Sequence, residues 1–190
     1  PNHYISHSKN IIVVEKCIPF KIEFVVRAYI TGNTQTSLWT HYNKGVRNYC
    51  GIEFPDNLKK NQKLDFPVIT PTTKGDEDIP ISKEDIVKNN YMTKDECEFI
   101  YEKSLELFKY GQFIANNAGF ILVDTKYEFG KDKNGDIILI DELHTCDSSR
   151  YWKKNTYQRH FDNNIEPKKL DKDCIRDWIK TQCDPYTDEI

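Results

Sequence analysis

The sequence predicts an α+β fold in which a mostly antiparallel sheet is flanked by helices. Strand-like apolar runs occur at Ile11 to Val14 and at Ile22 to Ile30. A second pair of strand-like runs, Phe120 to Phe129 and Asp136 to Leu143, is joined through Asn134-Gly135, the strongest short hairpin signal. Between the two pairs lies a long segment with helical spacing. The chain has 190 residues, of which 38% are hydrophobic and 13% aromatic. That is enough for one ordinary domain, or a large part of a two-lobed protein, and it argues against a disordered chain.

The two early strands are separated by a break at Cys17-Ile18-Pro19. Residues 43 to 80 carry Pro55, Pro67, Pro71 and Pro80 with little periodicity, and are expected to form an irregular surface excursion. Ser82-Lys-Glu-Asp85 opens a short helix. Thr93-Lys-Asp-Glu96 is a capping box for a longer one over about 94 to 118, closed by Gly119. The hairpin follows, and the last third is helix-rich, with periodicity over Asp171 to Thr181 and a polar tail.

Charge and spacing exclude several classes of function. With 27 basic and 30 acidic residues the net charge is −3, which is not the basic profile of a nucleic-acid binder. No apolar run approaches the roughly 20 residues that span a bilayer. Pro1-Asn2-His3-Tyr4 shows neither an initiator Met nor the pattern of a secretory signal, so the start reads as a cut. Six scattered cysteines without a CxxC pair suggest reduced thiols and a cytoplasmic protein.

The hairpin carries the first chemical signal. If Asn134 and Gly135 are the centre of a two-residue turn, opposed residues sum to 269, so that Glu128 faces Asp141 and Lys126 faces Leu143. Asp124, Lys126 and Glu128 share one face by the period of two. Two facing carboxylates repel unless a cation lies between them. A Mg²⁺ held by Glu128 and Asp141, beside nucleotide phosphates, would meet that need, with Lys126 reaching phosphate. The plain alternative is a solvated charged face balanced by Lys126 and Lys131.

Asp147-Ser148-Ser149-Arg150-Tyr151-Trp152 gathers an acid, two hydroxyls and a guanidinium suited to phosphate, or else is a capped helix start with Arg150 on the surface. Arg27, inside the apolar run Val25 to Tyr29, requires an anion. Gly32 to Ser37 forms a polar turn that is not a Walker loop. His41 and His144 are candidate acid–base groups by identity alone.

These residues resemble a known family, the phosphoribosylaminoimidazole-succinocarboxamide synthases, or SAICAR synthetases. Phe20-Lys-Ile-Glu-Phe-Val-Val-Arg27-Ala-Tyr-Ile-Thr-Gly32 is similar to its first signature, and Leu122-Val-Asp124-Thr-Lys126-Tyr-Glu128-Phe-Gly130 to its second. Ser37-Leu-Trp39, Lys44 to Arg47, Lys59 to Leu64, Thr70 to Lys74 and Leu139 to Trp152 extend the resemblance over most of residues 11 to 155.

The resemblance implies an ATP- and Mg²⁺-dependent ligase of de novo purine synthesis. Such an enzyme joins L-aspartate to carboxyaminoimidazole ribonucleotide (CAIR), giving SAICAR, ADP and phosphate, on a fold with a kinase- or ATP-grasp-like cleft. It implies metal on Glu128 and Asp141, nucleotide contacts from these and Lys126, and ribotide phosphate on Arg27 and Arg150. Lys126, Asp147 and Arg150 are expected to be catalytic. Asn33, Ser37, Lys74, Ser148 and Ser149 are expected to join in substrate binding. The chain departs from the family at Ala28, often Gly, and at Asn33, where a Ser helps hold the phosphate. The family's N-terminal lobe over the ATP phosphates has no counterpart here, so residues 1–190 are expected to be the central and C-terminal part of such an enzyme. The expected partners are small molecules, and a homo-oligomer is left open. Two rival readings are an ATP–Mg²⁺ phosphotransferase indifferent to aspartate and a ribonucleotide-binding protein without turnover.

Overall fold

In the computed structural model, which describes residues 1–75, 78–179 and 181–183, the chain begins with an exposed ribbon of β1 (Tyr4–Ser8) and β2 (Ile11–Val14). The break in sequence becomes the short β3 (Ile18–Pro19), followed by β4 (Ile22–Ile30). Then come α1 (Leu38–Asn43) and the small hairpin β5 (Asn48–Tyr49) and β6 (Ile52–Glu53). Cys50 and Gly51 connect these strands with positive φ at both residues, the pattern of a type I′ turn.

The expectation of an irregular surface excursion over 43–80 is overturned by β7 (Gln62–Thr73), a twelve-residue strand paired antiparallel with β4. The prolines misled because they weigh against a central strand, whereas β7 is the sheet edge, where a missing N–H is tolerated. Pro71 stands opposite Phe24. Pro67 falls in a bulge, since the register moves from Arg27↔Val68 to Tyr29↔Lys63.

Both helix starts form as their sequences dictate. Ser82 caps α2 (Lys83–Lys88) by accepting from the Asp85 amide, and Thr93 and Glu96 complete a reciprocal capping box on α3 (Lys94–Asn117). Gly119, at φ +82°, turns the chain out of α3. β8 (Phe120–Lys131) and β9 (Ile137–Ile140) form the hairpin, β10 (Ser149–Lys153) returns along β8, and α4 (Lys154–Asp162) and α5 (Lys172–Ile179) follow. The polar tail beyond residue 183 lies outside the described residues.

The main sheet runs β10-β8-β4-β7, with β3 and β9 pairing at the far end of β8. Alternation gives each central strand two faces. Ile22, Phe24, Val26 and Ala28 of β4 pack with Tyr127 and Phe129 of β8 and with Ile100 and Phe108 of α3 to form the core. Glu23, Val25, Arg27, Asp124 and Lys126 face a cavity on the opposite side. A smaller cluster of Ile30, Leu38, Tyr42, Tyr49, Phe54, Leu64 and Val68 seats α1 and the β5–β6 hairpin.

Candidate functional site

The cavity, about 410 Å³, is bounded by β4, β8 and β10, by the turn before α1 and by the start of α5. Its floor is a charged row across three strands. Arg27 of β4 and Arg150 of β10 both stand in register with Asp124 of β8. Asp124 Oδ2 accepts from Arg150 Nη1 at 2.7 Å and from Arg27 Nη1 at 3.4 Å. Arg27 and Asp124 are only 5% and 3% exposed. Burial pulls the Arg27 guanidinium below its ordinary value, opposed by Asp124 and reinforced by Arg150, while its Nε donates to Thr70 Oγ1 at 2.8 Å. Arg150 is held above its ordinary value by Asp124 and, against its burial, by Asp173, whose Oδ2 accepts from Nε at 3.0 Å.

Two guanidiniums thus share one carboxylate oxygen. The anion that the sequence demanded for Arg27 is Asp124, and Arg150 lies on a strand, which disposes of the reading of residues 147 to 152 as a helix start. Asp124 was read only as part of the charged face of β8, and the α5 side chains Asp173 and Arg176, joined at 3.0 Å, were not among the residues singled out for the site. The signal for the α5 pair was the dense run Asp171-Lys172-Asp173 with Arg176 one turn on, legible as a helix start but not as a wall of this cavity.

Thr34, Thr36 and Ser37 close one side. Ser37 Oγ accepts from the Thr34 amide at 2.9 Å. Gly32, at φ +99°, has no room for a side chain, because a Cβ there would lie 2.4 Å from Ser37 Oγ. Asn33 is exposed and is not part of the cavity wall, so the turn presents Thr34 and Thr36 instead. Ser148 and Ser149 line the opposite side, with Ser149 Oγ and Thr125 Oγ1 2.8 Å apart. Asp147 lies at the rim, exposed, and is kept below the usual carboxylate range by Lys172 at 2.9 Å.

At the β8–β9 end, Lys126 gathers three carboxylates: Glu128 at 2.8 Å, Glu23 at 3.2 Å and Asp141 at 3.4 Å. Lys74 also pairs with Glu128. Burial alone would raise the Glu128 carboxyl, but hydrogen bonds from Lys126 and Lys74 outweigh it and bring it to about 2. Burial raises Glu23 above its ordinary value, opposed by Lys126. Lys126 itself is disfavoured by burial but held above its ordinary value by Glu128 and Glu23.

Glu128 and Asp141 therefore come to one ammonium, but not by facing each other. The register is Glu128↔Ile140, one residue from the expected one. Gly135 alone of the turn residues has positive φ. The Asp132 side chain accepts from the Asn134 and Asp136 amides at 2.8 and 2.9 Å, making a three-residue loop rather than a two-residue turn. β9 ends at Ile140, so Lys126 has no partner in Leu143, and its amide instead donates to Ser148 O at 3.1 Å. Asp141 reaches Lys126 because its backbone turns at φ +62°.

His144 lies on the core side, its Nε2 2.5 Å from Tyr127 Oη, with burial lowering its pKa. His41 packs on the Tyr49 ring at 4.7 Å. Neither lines the cavity. All six cysteines are unpaired.

The sequence profile of the SAICAR synthetase family matches residues 1–190. The chain belongs to the SAICAR synthetase family. The chain is 54% identical to the phosphoribosylaminoimidazole-succinocarboxamide synthase of Legionella pneumophila (strain Paris), covering 100% of this chain and 62% of that one. Its fold matches SAICAR synthetase (type 2) in complex with ADP, with a TM-score of 0.71 and 30% identity, over 92% of this chain and 64% of that one. It also matches SAICAR synthase from Saccharomyces cerevisiae complexed with SAICAR, with a TM-score of 0.76 and 25% identity, over 100% and 67%. The chain spans about half to three-fifths of the length of the curated relatives it matches.

Among the described residues no group of three or more His, Cys, Asp or Glu side chains is placed to hold a metal by itself. Glu128 and Asp141 nonetheless suit Mg²⁺, a hard ion that takes one or two carboxylates when phosphates and water complete its shell. Glu128 is ionised at any physiological pH, and two lysines now supply the positive charge there. Among the described residues no helix is long and apolar enough to cross a membrane.

Proposed function

We propose that the protein carrying this chain is an ATP- and Mg²⁺-dependent ligase that joins L-aspartate to CAIR, giving SAICAR, ADP and phosphate. The observation that carries the reading is the family match over all of residues 1–190. It is supported by a cavity with a guanidinium row on its floor and a carboxylate–lysine cluster at one end. Six unpaired thiols suit a reducing compartment, and we place the protein in the cytoplasm.

In this reading Arg27 and Arg150 dock the ribotide phosphate. Asp124 fixes both guanidiniums, so that little conformational freedom is lost on binding. Ser37 and the Ser148–Ser149 pair add hydroxyl donors, while Asn33 contributes only by swinging inward. Glu128 and Asp141 hold Mg²⁺, which when bound neutralises phosphate charge. Lys126 and Lys74, which hold positive charge beside these carboxylates, would offer it to the transferring phosphoryl group. ATP phosphorylates the CAIR carboxylate, and the aspartate amine attacks the acyl phosphate, releasing phosphate. The amine must be neutral to attack, and in this reading Asp147, a carboxylate that stays ionised, takes up the acidic proton that the attacking nitrogen loses as the amide forms. No protein nucleophile is required.

The test is ADP formation by the full-length protein with Mg²⁺ and CAIR, with and without L-aspartate, beside Glu128→Gln. ADP that requires both CAIR and aspartate, and falls by about 100-fold or more in the variant, is the expected result. ADP formation indifferent to aspartate would replace the ligase by a phosphotransferase. CAIR binding without ADP would leave a ribonucleotide-binding protein.

A further inference from the structure

The loop from Asp141 to Ser148 bridges the gap between β9 and β10 along one edge of β8, and it straddles that edge. Asp141 reaches Lys126 on the cavity face. Three residues later His144 passes to the core face and meets Tyr127. Lys126 and Tyr127 are neighbours on β8, so alternation alone puts the two contacts on opposite faces.

Two non-glycine residues of this loop, Asp141 and His144, have positive φ, at +62° and +54°. Such conformations persist only where surrounding contacts over-determine them. The Asp141 side chain is 41% exposed. His144 is the packed one. Its Nε2 lies 2.5 Å from Tyr127 Oη, its carbonyl accepts from Tyr151 Oη at 2.7 Å, and its ring meets the Tyr127 ring edge-on at 5.6 Å. The ring sits in a notch on α3, where a Cβ on Gly111 would lie 2.4 Å from His144 Cε1. Gly111 is not at a positive φ, and the three nearest atoms that a Cβ there would meet all belong to the His144 imidazole.

We infer that His144 is a positioning residue for the Asp141 carboxylate: seated on Gly111 and bonded to Tyr127, it pins the loop so that Asp141 arrives beside Lys126 and Glu128. This rests on the reading of Glu128 and Asp141 as the Mg²⁺–nucleotide end. The residue does not touch substrate. Its effect is to keep Asp141 at φ +62° without a cross-strand partner, since β9 has already ended.

The experiment uses the full-length protein and two readouts that need no turnover. Hydrogen exchange reports the loop through the Lys126 and Ser149 amides, which donate to Ser148 O and Thr145 O. Mn²⁺ binding in the presence of ADP, followed by electron paramagnetic resonance, reports the carboxylates. In His144→Ala and Gly111→Ala both amides should exchange faster while the β4–β7 amides do not, and Mn²⁺–ADP affinity should fall on the order of 10-fold, as for lost outer contacts of metal ligands. His144→Gln, which keeps an acceptor for Tyr127 Oη, should recover most of both. Unchanged Mn²⁺ affinity in a loosened loop, or an unmoved loop in folded His144→Ala, would overturn the inference. Failure of the unsubstituted protein to bind Mn²⁺–ADP would overturn the metal reading itself and the inference with it. Its loop exchange would still show whether His144 orders the segment.

Discussion

Replacing Asp124 by Asn isolates the guanidinium row from the rest of the cavity. The side chain keeps its size but loses the charge that Arg150 Nη1 approaches at 2.7 Å and Arg27 Nη1 at 3.4 Å. At an effective dielectric near 20 these attractions are about 6 and about 5 kcal/mol. Desolvation of the carboxylate cancels much of that, and removing one member of a buried pair costs roughly 3–5 kcal/mol net. Arg150 retains Asp173 and Arg27 retains Thr70, which puts the expected loss at about 3 kcal/mol. Urea denaturation should show it as a lower midpoint at constant slope, and thermal melting as a drop of about 6–12 °C. Without the shared carboxylate the row should also recruit an anion, so ribose 5-phosphate should raise the melting temperature of the variant more than that of the parent. A loss below about 1 kcal/mol, the scale of a surface pair, would refute the argument that Asp124 restrains two buried cations. So would a variant no more responsive to phosphate than the parent.

Other perturbations test the remaining parts of the site and its scaffold. The Glu128 carboxyl lies at about 2 against an ordinary 4.5, so the folded state binds fewer protons than the unfolded one between those values. Its stabilisation is full above about pH 4.5 and is lost as pH falls toward 2. The stability gap between the parent and Glu128→Gln should therefore shrink over that range in acid titrations, and parallel curves would contradict the ion-pair assignment. Gly32→Ala meets both a positive φ and the Ser37 hydroxyl, and should cost about 2 kcal/mol or more in urea melts while weakening phosphate binding. Thr93→Ala removes half of a capping box remote from the cavity, and should cost about 1 kcal/mol with CAIR affinity unchanged. A change in affinity there would show that α3 is coupled to the site.

Much of the fold was legible because its signals are local. Thr93 and Glu96 lie three residues apart, and their cap depends on nothing else in the chain. The alternation of Asp124, Lys126 and Glu128 follows from strand geometry, and it correctly placed all three on one face. The family motifs named Arg27, Lys126, Glu128, Asp141 and Arg150, which the folded chain brings to one cavity or its edge. Asn33 was named by motif position alone. Its backbone turn faces it outward, and no local pattern records that.

What the sequence by itself determined, then, is which residues bear charge, where helices start and which strand face is polar, because each depends on neighbours within about four positions. Tertiary structure alone decided two things. β7 became a strand at the end of the main sheet despite its prolines, because Pro67 falls in the bulge and Pro71 turns its carbonyl, and with it the missing N–H, away from β4 toward Ile81. Arg27, Asp124 and Arg150 met in a single row, because pairings separated by 97 and 26 residues fell into register on β8. Long-range pairings of this kind are selected by the burial of whole strand faces, a quantity no short window of sequence contains.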